Sequence, residues 1–370
     1  MTSDKVLNDQ EKLILDCIER NPFISQQDLA EHCGLARPTV ATYIAQLTRK
    51  GFLLGRAYVF ARSERIVCIG GAAIDRKYRL AGPMIGGTSN PASGSSTFGG
   101  VARNVSENLA RLGTNTNLVS VVGDDEDGQT LVEYLRNAGV DVSGVQTQHG
   151  AATAEYVAVL QEDNDLAVGI VNAEIFETVS VDTLRACWPT IVSANWVFAD
   201  CNLPTEVLAW LSGQRADNRF RLAIGTVSAH KAQKLRGLLD GIDLLFTTDR
   251  DADVLKSELK LMSRGNRKQG RDQEPDERNS RAVVCFHGPG SLTVTTSEST
   301  HRLAVPVGGV ADVTGAADAL AAGTLSSLLS GDSLMEACRF GIGMAALTAT
   351  THSNVHPLLT RSYVEDLMPH

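Results

Sequence analysis

From residue 65 onward, short apolar runs alternate with amphipathic ones for almost the whole length of the chain, and this alternation restricts the fold more than any other feature. Arg65-Ile-Val-Cys-Ile-Gly-Gly reads as a buried strand closed by two glycines. Helical patterns follow at 104–112, 129–138 and 206–211, with strand patterns at 117–122, 195–199, 221–224, 243–246 and 282–286. Two long Ala-rich helices come after Gly315 and Ser333. Apolar strands separated by helices predict a doubly wound, mostly parallel α/β sheet covered on both faces, with ligands beyond the carboxyl ends of the strands. Two stretches, 77–98 and 151–175, break the rhythm with short alternating strands such as Tyr156-Val-Ala-Val-Leu and Ala167-Val-Gly-Ile-Val. They predict a small β sheet standing off the main layer as a lid. Residues 263–281 hold almost no apolar side chain and read as a disordered loop.

The first 60 residues have another character. Leu13, Ile14, Cys17 and Ile18 recur at helical spacing behind Asn8-Asp9, and Asn21-Pro22 ends that helix. Ser25 caps a second helix, with Asp28 at its third position and Leu29 and Ala30 facing inward. Gly34 makes the turn, and Pro38 opens a third helix whose Val40, Ile44 and Leu47 form one stripe. This is the helix-turn-helix order, whose second member enters the DNA major groove. The outer face offers Arg37, Thr39, Thr42, Tyr43 and Gln46 to bases and phosphates, with Arg49 and Lys50 beside the backbone phosphates. The run from Gly51 to Phe60 resembles a β-wing, and the segment resembles bacterial winged helix-turn-helix domains. A three-helix protein-interaction head fits the same pattern.

The chain of 370 residues therefore divides into a head, 1–62, and a body, 63–370. The head carries eight Lys/Arg against seven Asp/Glu, a balance of +1, while the body carries −10. After Glu31 the head is purely basic at Arg37, Arg49, Lys50, Arg56 and Arg62, which suits a polyanion and equally a solvated face. With 43% hydrophobic and 21% charged residues, a disordered, collagen-like or coiled-coil chain is excluded. No apolar run reaches the ~18–20 residues that span a bilayer, and MTSDKVLNDQEKL has no secretory character. The seven cysteines are scattered and never spaced as CxxC, so small buried thiols in a reducing cytoplasm are expected, with neither a disulfide frame nor a zinc site.

Three constellations carry chemistry. Asp312-Val313-Thr314-Gly315-Ala316-Ala317-Asp318 is a small-residue turn opening an apolar helix, whose free N–H groups form an anion seat. A carboxylate at Asp318 beside that seat can take a proton from an attacking hydroxyl, the division of labour phosphoryl transfer needs. It can equally be an acid that complements the helix dipole. Phe98-Gly99-Gly100-Val101-Ala102-Arg103-Asn104 is a second Gly turn into a helix, with Asn104 able to donate and accept. Asp75, after the first strand, suits a pair of sugar hydroxyls or a turn.

Together these residues resemble the ribokinase-like (PfkB) carbohydrate and nucleoside kinases over about 65–365. Both signatures stand in order: Gly-Gly-x-x-x-Asn at 99–104 and Asp-x-x-Gly-Ala-x-Asp at 312–318. Ser89-Asn90-Pro91, Gly123-Asp124-Asp125, the run from Ala199 to Pro204 with Ala209-Trp210, and Val227-Ser228-Ala229 look most like the pseudouridine kinases of that family. The resemblance implies a ribokinase-like fold, Asp318 as base for the 5′-hydroxyl, and Gly315, Ala316 and Ala317 as anion hole. It places Asp75, Gly99, Gly100 and Asn104 at the ribose, Asn90 near the nucleoside, and Thr314, Asp249, Gly288 and Gly290 at the nucleotide. It further implies ATP, a divalent cation such as Mg2+, a monovalent cation as a further candidate, and a homodimer clasped through the lids.

Five departures fall mainly on the ATP–metal side. Ala317 replaces a Gly, Ala73 an Asn and Gly225-Thr226 an Asp-Pro. Asp249-Arg250-Asp251-Ala252 stands for Asn-x-x-Glu with the Glu lost, and His287 takes a Gly position. Two functions follow: an ATP-dependent sugar or nucleoside kinase with a DNA-binding head, or a transcriptional regulator whose kinase-like body senses a ligand. A dinucleotide oxidoreductase would need Gly-x-Gly-x-x-Gly, which Gly70-Gly71-Ala72-Ala73 does not supply.

Overall fold

The computed structural model describes residues 7–21, 24–53, 64–163, 165–262, 281–305 and 307–367. The predicted wing beyond Leu53, with Arg56, Arg62 and the boundary at 62/63, lies outside them, as does nearly all of the 263–281 segment.

The head is built of α1 (Asp9–Arg20), α2 (Gln26–Cys33) and α3 (Arg37–Arg49). Each start has a local cause. The Asn8 side chain accepts from the Glu11 N–H at 2.8 Å while the Glu11 carboxylate accepts from the Asn8 N–H at 2.9 Å. Ser25 accepts from the Asp28 N–H at 3.1 Å, and Pro38 lies in the first turn of α3. Ile14, Ile18, Leu29, Val40, Leu47 and Leu53 form the head's own core.

This core corrects part of the expected DNA face. Tyr43 is half-buried against it rather than presented outward. Lys50 does not stand free for phosphates, because its Nζ lies 2.7 Å from the buried carboxylate of Glu11. The Thr42 hydroxyl donates to the Pro38 carbonyl at 3.0 Å, and Gln46 is half-buried. Arg37, Thr39, Thr42 and Arg49 remain exposed.

The body begins with β1 (Arg65–Ile69), β2 (Ala73–Leu80), β3 (Ala92–Gly99), α4 (Val101–Arg111), β4 (Asn115–Gly123), α5 (Glu126–Asn137), β5 (Asp141–Gln148), β6 (Glu155–Leu160) and β7 (Leu166–Asn172). It continues through α6 (Val181–Ala186), α7 (Trp188–Val192), β8 (Trp196–Asp200), α8 (Thr205–Gln214), β9 (Arg221–Gly225), α9 (Ala229–Ala232), β10 (Leu244–Thr248), α10 (Asp249–Val254) and α11 (Lys256–Met262). Then come β11 (Ala282–Gly288), β12 (Ser291–Thr296), β13 (Thr300–Ala304), α12 (Ala316–Leu329), α13 (Leu334–Thr348) and α14 (Arg361–Leu367).

Nine strands form one sheet in the order β13-β12-β11-β10-β9-β8-β1-β4-β5. The seven from β11 to β5 pair in parallel, and β12 and β13 close one edge antiparallel. Strand period decides the layers: Ile66 and Cys68 of β1 face the core under α4, α12 and α13, while Val67 and Ile69 face the core under α8. The sheet grows in opposite directions from β1, toward β4 and toward β8, so the crevice belongs at their carboxyl ends. A second sheet, β3-β2-β6-β7, stands beside that point.

Head and body touch where the Arg219 guanidinium stacks 4.3 Å from the Phe52 ring and Gly51 lies on the Val192 carbonyl. None of the described helices is long and apolar enough to cross a membrane. All seven cysteines are free thiols, but only Cys68, Cys201 and Cys338 are buried; Cys17, Cys33, Cys187 and Cys285 are half-buried.

Candidate active site

The turn before α12 is shaped by its own side chains. Asp312 Oδ1 accepts from the Thr314 N–H at 2.9 Å and from the Thr314 hydroxyl at 2.6 Å. Gly315 follows with φ +80°, and a Cβ there would fall 2.0 Å from the Asn354 carbonyl, so only glycine fits. Of the N–H groups expected to form an anion hole, that of Ala316 donates to Val313 O at 3.2 Å. Among the described residues those of Gly315, Ala317 and Asp318 meet no protein acceptor. The positive end of α12 is therefore open at three amides.

Asp318, third in α12, points into the cleft and accepts from Asn104 Nδ2 at 2.7 Å. Asn104 in turn accepts from the buried Arg103, which also pairs with Glu107 and donates to the Phe98 carbonyl at 2.8 Å. Asn104 is thus committed to orienting the carboxylate. Burial pushes the Asp318 carboxyl up to about 7, the Asn104 bond opposes it, and the charges of Asp200 and Asp75 add to the rise. Asp200, wholly buried at the end of β8, accepts from the N–H groups of Gly71, Ala102 and Asn202, and so ties β1 to the start of α4.

Asp75 lies inside β2, which excludes a turn role. Its Oδ2 accepts from Asn354 Nδ2 at 2.6 Å, and burial raises its carboxyl above the ordinary range. Its Oδ1 has no protein donor among the described residues. A Cβ at Gly99 would fall 2.2 Å from that oxygen, so glycine at this position is what admits the carboxylate. Gly100 caps α4 with φ +92°.

A pocket opens beside Asp318 and Ala317, walled by Val101, Phe198, Thr226, Phe246, Thr248 and Asp251, with Gly225, Val227 and Thr247 also on its surface. The Glu position is Ala252, as the sequence has it, and Asp251 one residue earlier brings a carboxylate to this pocket. Asp251 is buried, accepts from the Thr226 hydroxyl at 2.6 Å, and follows the α10 cap Thr248 by three residues. The Thr-x-x-Asp capping pattern was the available signal. Val227, a β-branched residue at φ +66°, is the one described non-glycine with positive φ, and it lines this pocket.

Other expected residues lie elsewhere. Asn90 bonds the backbone of Ile85 and Thr88 and closes the β2–β3 connection. Gly288 ends β11, and Gly290 sits in the following turn, where its carbonyl accepts from Val305 at 2.9 Å. Asp249 opens α10 and meets His287. Three partners escaped sequence reasoning: Arg103, Asn354, and Lys77, whose ammonium ion-pairs with Asp312 and lies 3.2 Å from the Thr314 hydroxyl.

A doubly wound sheet with a small second sheet at its switch point, and a Gly-Ala-Ala-Asp helix start between them, is the architecture of ribokinase-like kinases. The chain belongs to the pfkB family of carbohydrate kinases, whose model matches residues 63–361, while residues 7–53 match a winged helix-turn-helix DNA-binding model. It is thus a sugar or nucleoside kinase carrying such a head, and its family uses ATP. It is 31% identical to "Uncharacterized sugar kinase YeiI" of Escherichia coli (strain K12), over 98% of this chain and 99% of that one. It is 29% identical to the pseudouridine kinase of the same organism, over 82% and 96%. A solved carbohydrate kinase from Agrobacterium tumefaciens superposes with a TM-score of 0.68 at 28% identity, over 82% and 96%.

Proposed function

We propose that the body moves the terminal phosphoryl group of ATP to the hydroxymethyl group of a pseudouridine-like nucleoside, and that the head binds DNA. The observation that carries this is Asp318, half-buried, oriented by Asn104 and set beside three uncommitted amides. Asp318 takes the hydroxyl proton as the oxygen attacks, and the amides of Gly315, Ala317 and Asp318 hold the charge on the transferred group. The free oxygen of Asp75 receives ribose hydroxyls. Asp251, with the hydroxyls of Thr247 and Thr248 on the same wall, is an oxygen donor set that suits Mg2+, which when bound neutralises phosphate charge. Likeness to the pseudouridine kinase supports the substrate class.

The small sheet closes over the acceptor and pairs with its copy in a homodimer. Supporting this, Tyr78, Leu166, Ile170 and Val171 are exposed on its strands, with Met84 and Ile85 beside them. The contact of Phe52 with Arg219 favours a second role, in which acceptor binding to the body biases the head.

The test is ATP consumption with pseudouridine and Mg2+, expected for the wild type and abolished in Asp318→Asn. Equal silence of both across a panel of nucleosides and sugars overturns the catalytic reading and leaves the sensor.

A further inference from the structure

Two positions at which the chain departs from the family pattern, Asp249 and His287, meet at one point with a thiol. β10 and β11 run parallel with Thr247 opposite Cys285 and Thr248 opposite Phe286, so the next pair along, Asp249 and His287, comes together at the carboxyl edge. Cys285 and His287 are two residues apart on β11 and share a face. His287 Nδ1 lies 2.8 Å from Asp249 Oδ1, Cys285 Sγ lies 3.6 Å from the same oxygen, and the three donor atoms all fall within 4.8 Å of one another. The other ring nitrogen, Nε2, is 2.7 Å from the Thr293 hydroxyl, on β12 directly opposite Cys285. Such an outer bond fixes the tautomer of a ligating imidazole.

We propose that Asp249, Cys285 and His287 bind one divalent transition-metal ion of the Zn2+ class, with water or a phosphate oxygen in the fourth position. Thiolate, imidazole and carboxylate form a borderline-soft set that favours Zn2+ over Mg2+, which asks for six oxygens. Ligands about 2.0–2.3 Å from a tetrahedral ion stand roughly 3.3–3.8 Å apart, so the present spacing closes on an ion by small side-chain shifts. The Cys285 thiol gives its proton to solvent as the sulfur–metal bond forms. Thr247, Thr248 and Phe286, chain neighbours of the three ligands, line the Asp318 pocket, whereas Asp249, Cys285 and His287 do not. The proposal departs from the sequence expectation of no zinc-type set, since strand pairing brings together three donors that no contiguous motif displays. It does not depend on the proposed reaction.

Full-length metal-free protein titrated with Co2+ tests it. One equivalent should give a sulfur-to-cobalt charge-transfer band with tetrahedral visible bands, bleached by Zn2+ and untouched by Mg2+. Cys285→Ser should lose the charge-transfer band with unchanged circular dichroism. His287→Asn, which keeps every cysteine, should bind Co2+ at least ~100-fold more weakly, and Thr293→Val roughly 10- to 100-fold more weakly. A charge-transfer band that survives Cys285→Ser, unchanged affinity in His287→Asn, or no uptake by the wild type overturns the site.

Discussion

Asp318 titrates near neutrality because it has exchanged water for Asn104 and neighbouring carboxylates, and this has two consequences of opposite sense. As a base it must be ionised, so kcat/KM should fall about tenfold per pH unit below about 7 and level above it. A profile flat through that range would remove Asp318 from the reaction. For stability, its folded pKa lies above the unfolded value near 4. Its contribution is therefore whole below about pH 4 and is lost as the pH rises through about 7. Asp318→Asn should accordingly melt higher than wild type at alkaline pH and with it in acid. Lys50 belongs to the same scale. It holds the charge of buried Glu11, and breaking such a pair typically costs about 3–5 kcal/mol. Lys50→Ala should lower the melting temperature of the head, whereas Arg37→Ala with Arg49→Ala should leave stability intact, weaken DNA binding and flatten its salt dependence.

At the scale of elements, the start of α12 matters more than any single donor in it. Asp312, Thr314, Lys77 and Asn354 together aim that helix end, and Gly315 is where backbone and neighbour meet. Gly315→Ala would force positive φ on alanine and a clash with Asn354 O, costing about 2 kcal/mol or more. Its loss of kcat should exceed that of Lys77→Met, which releases only the tie to β2; kinetics and thermal unfolding of both variants check the order. The caps of α1, α2 and α12 were legible because they are set within four residues of chain. Asn354 was not, because it reaches Asp75 across 279 positions of sequence.

For the whole molecule, the exposed apolar side chains of the small sheet and the stacked Phe52–Arg219 contact are where the proposed dimer and the proposed head–body coupling are tested. Ile170→Asp should shift the sedimentation of a dimer toward the monomer at micromolar concentration, and an unchanged profile would leave the sheet without that partner. Arg219→Ala should leave phosphotransfer unaltered while abolishing any effect of nucleoside on DNA affinity, measured by binding to operator fragments with and without acceptor.

By itself the sequence determined the parallel layered body, the three-helix head and the Gly-Ala-Ala-Asp helix start, because apolar period, caps and turn residues act over a few neighbouring positions. Tertiary structure alone decided which carboxylates lose water, which cations hold them, and that Asp251 faces the pocket. It also turned Tyr43 and Lys50 inward and gathered Asp249, Cys285 and His287. Desolvation and charge pairing depend on what packs from distant segments, and one-dimensional spacing carries no record of that packing.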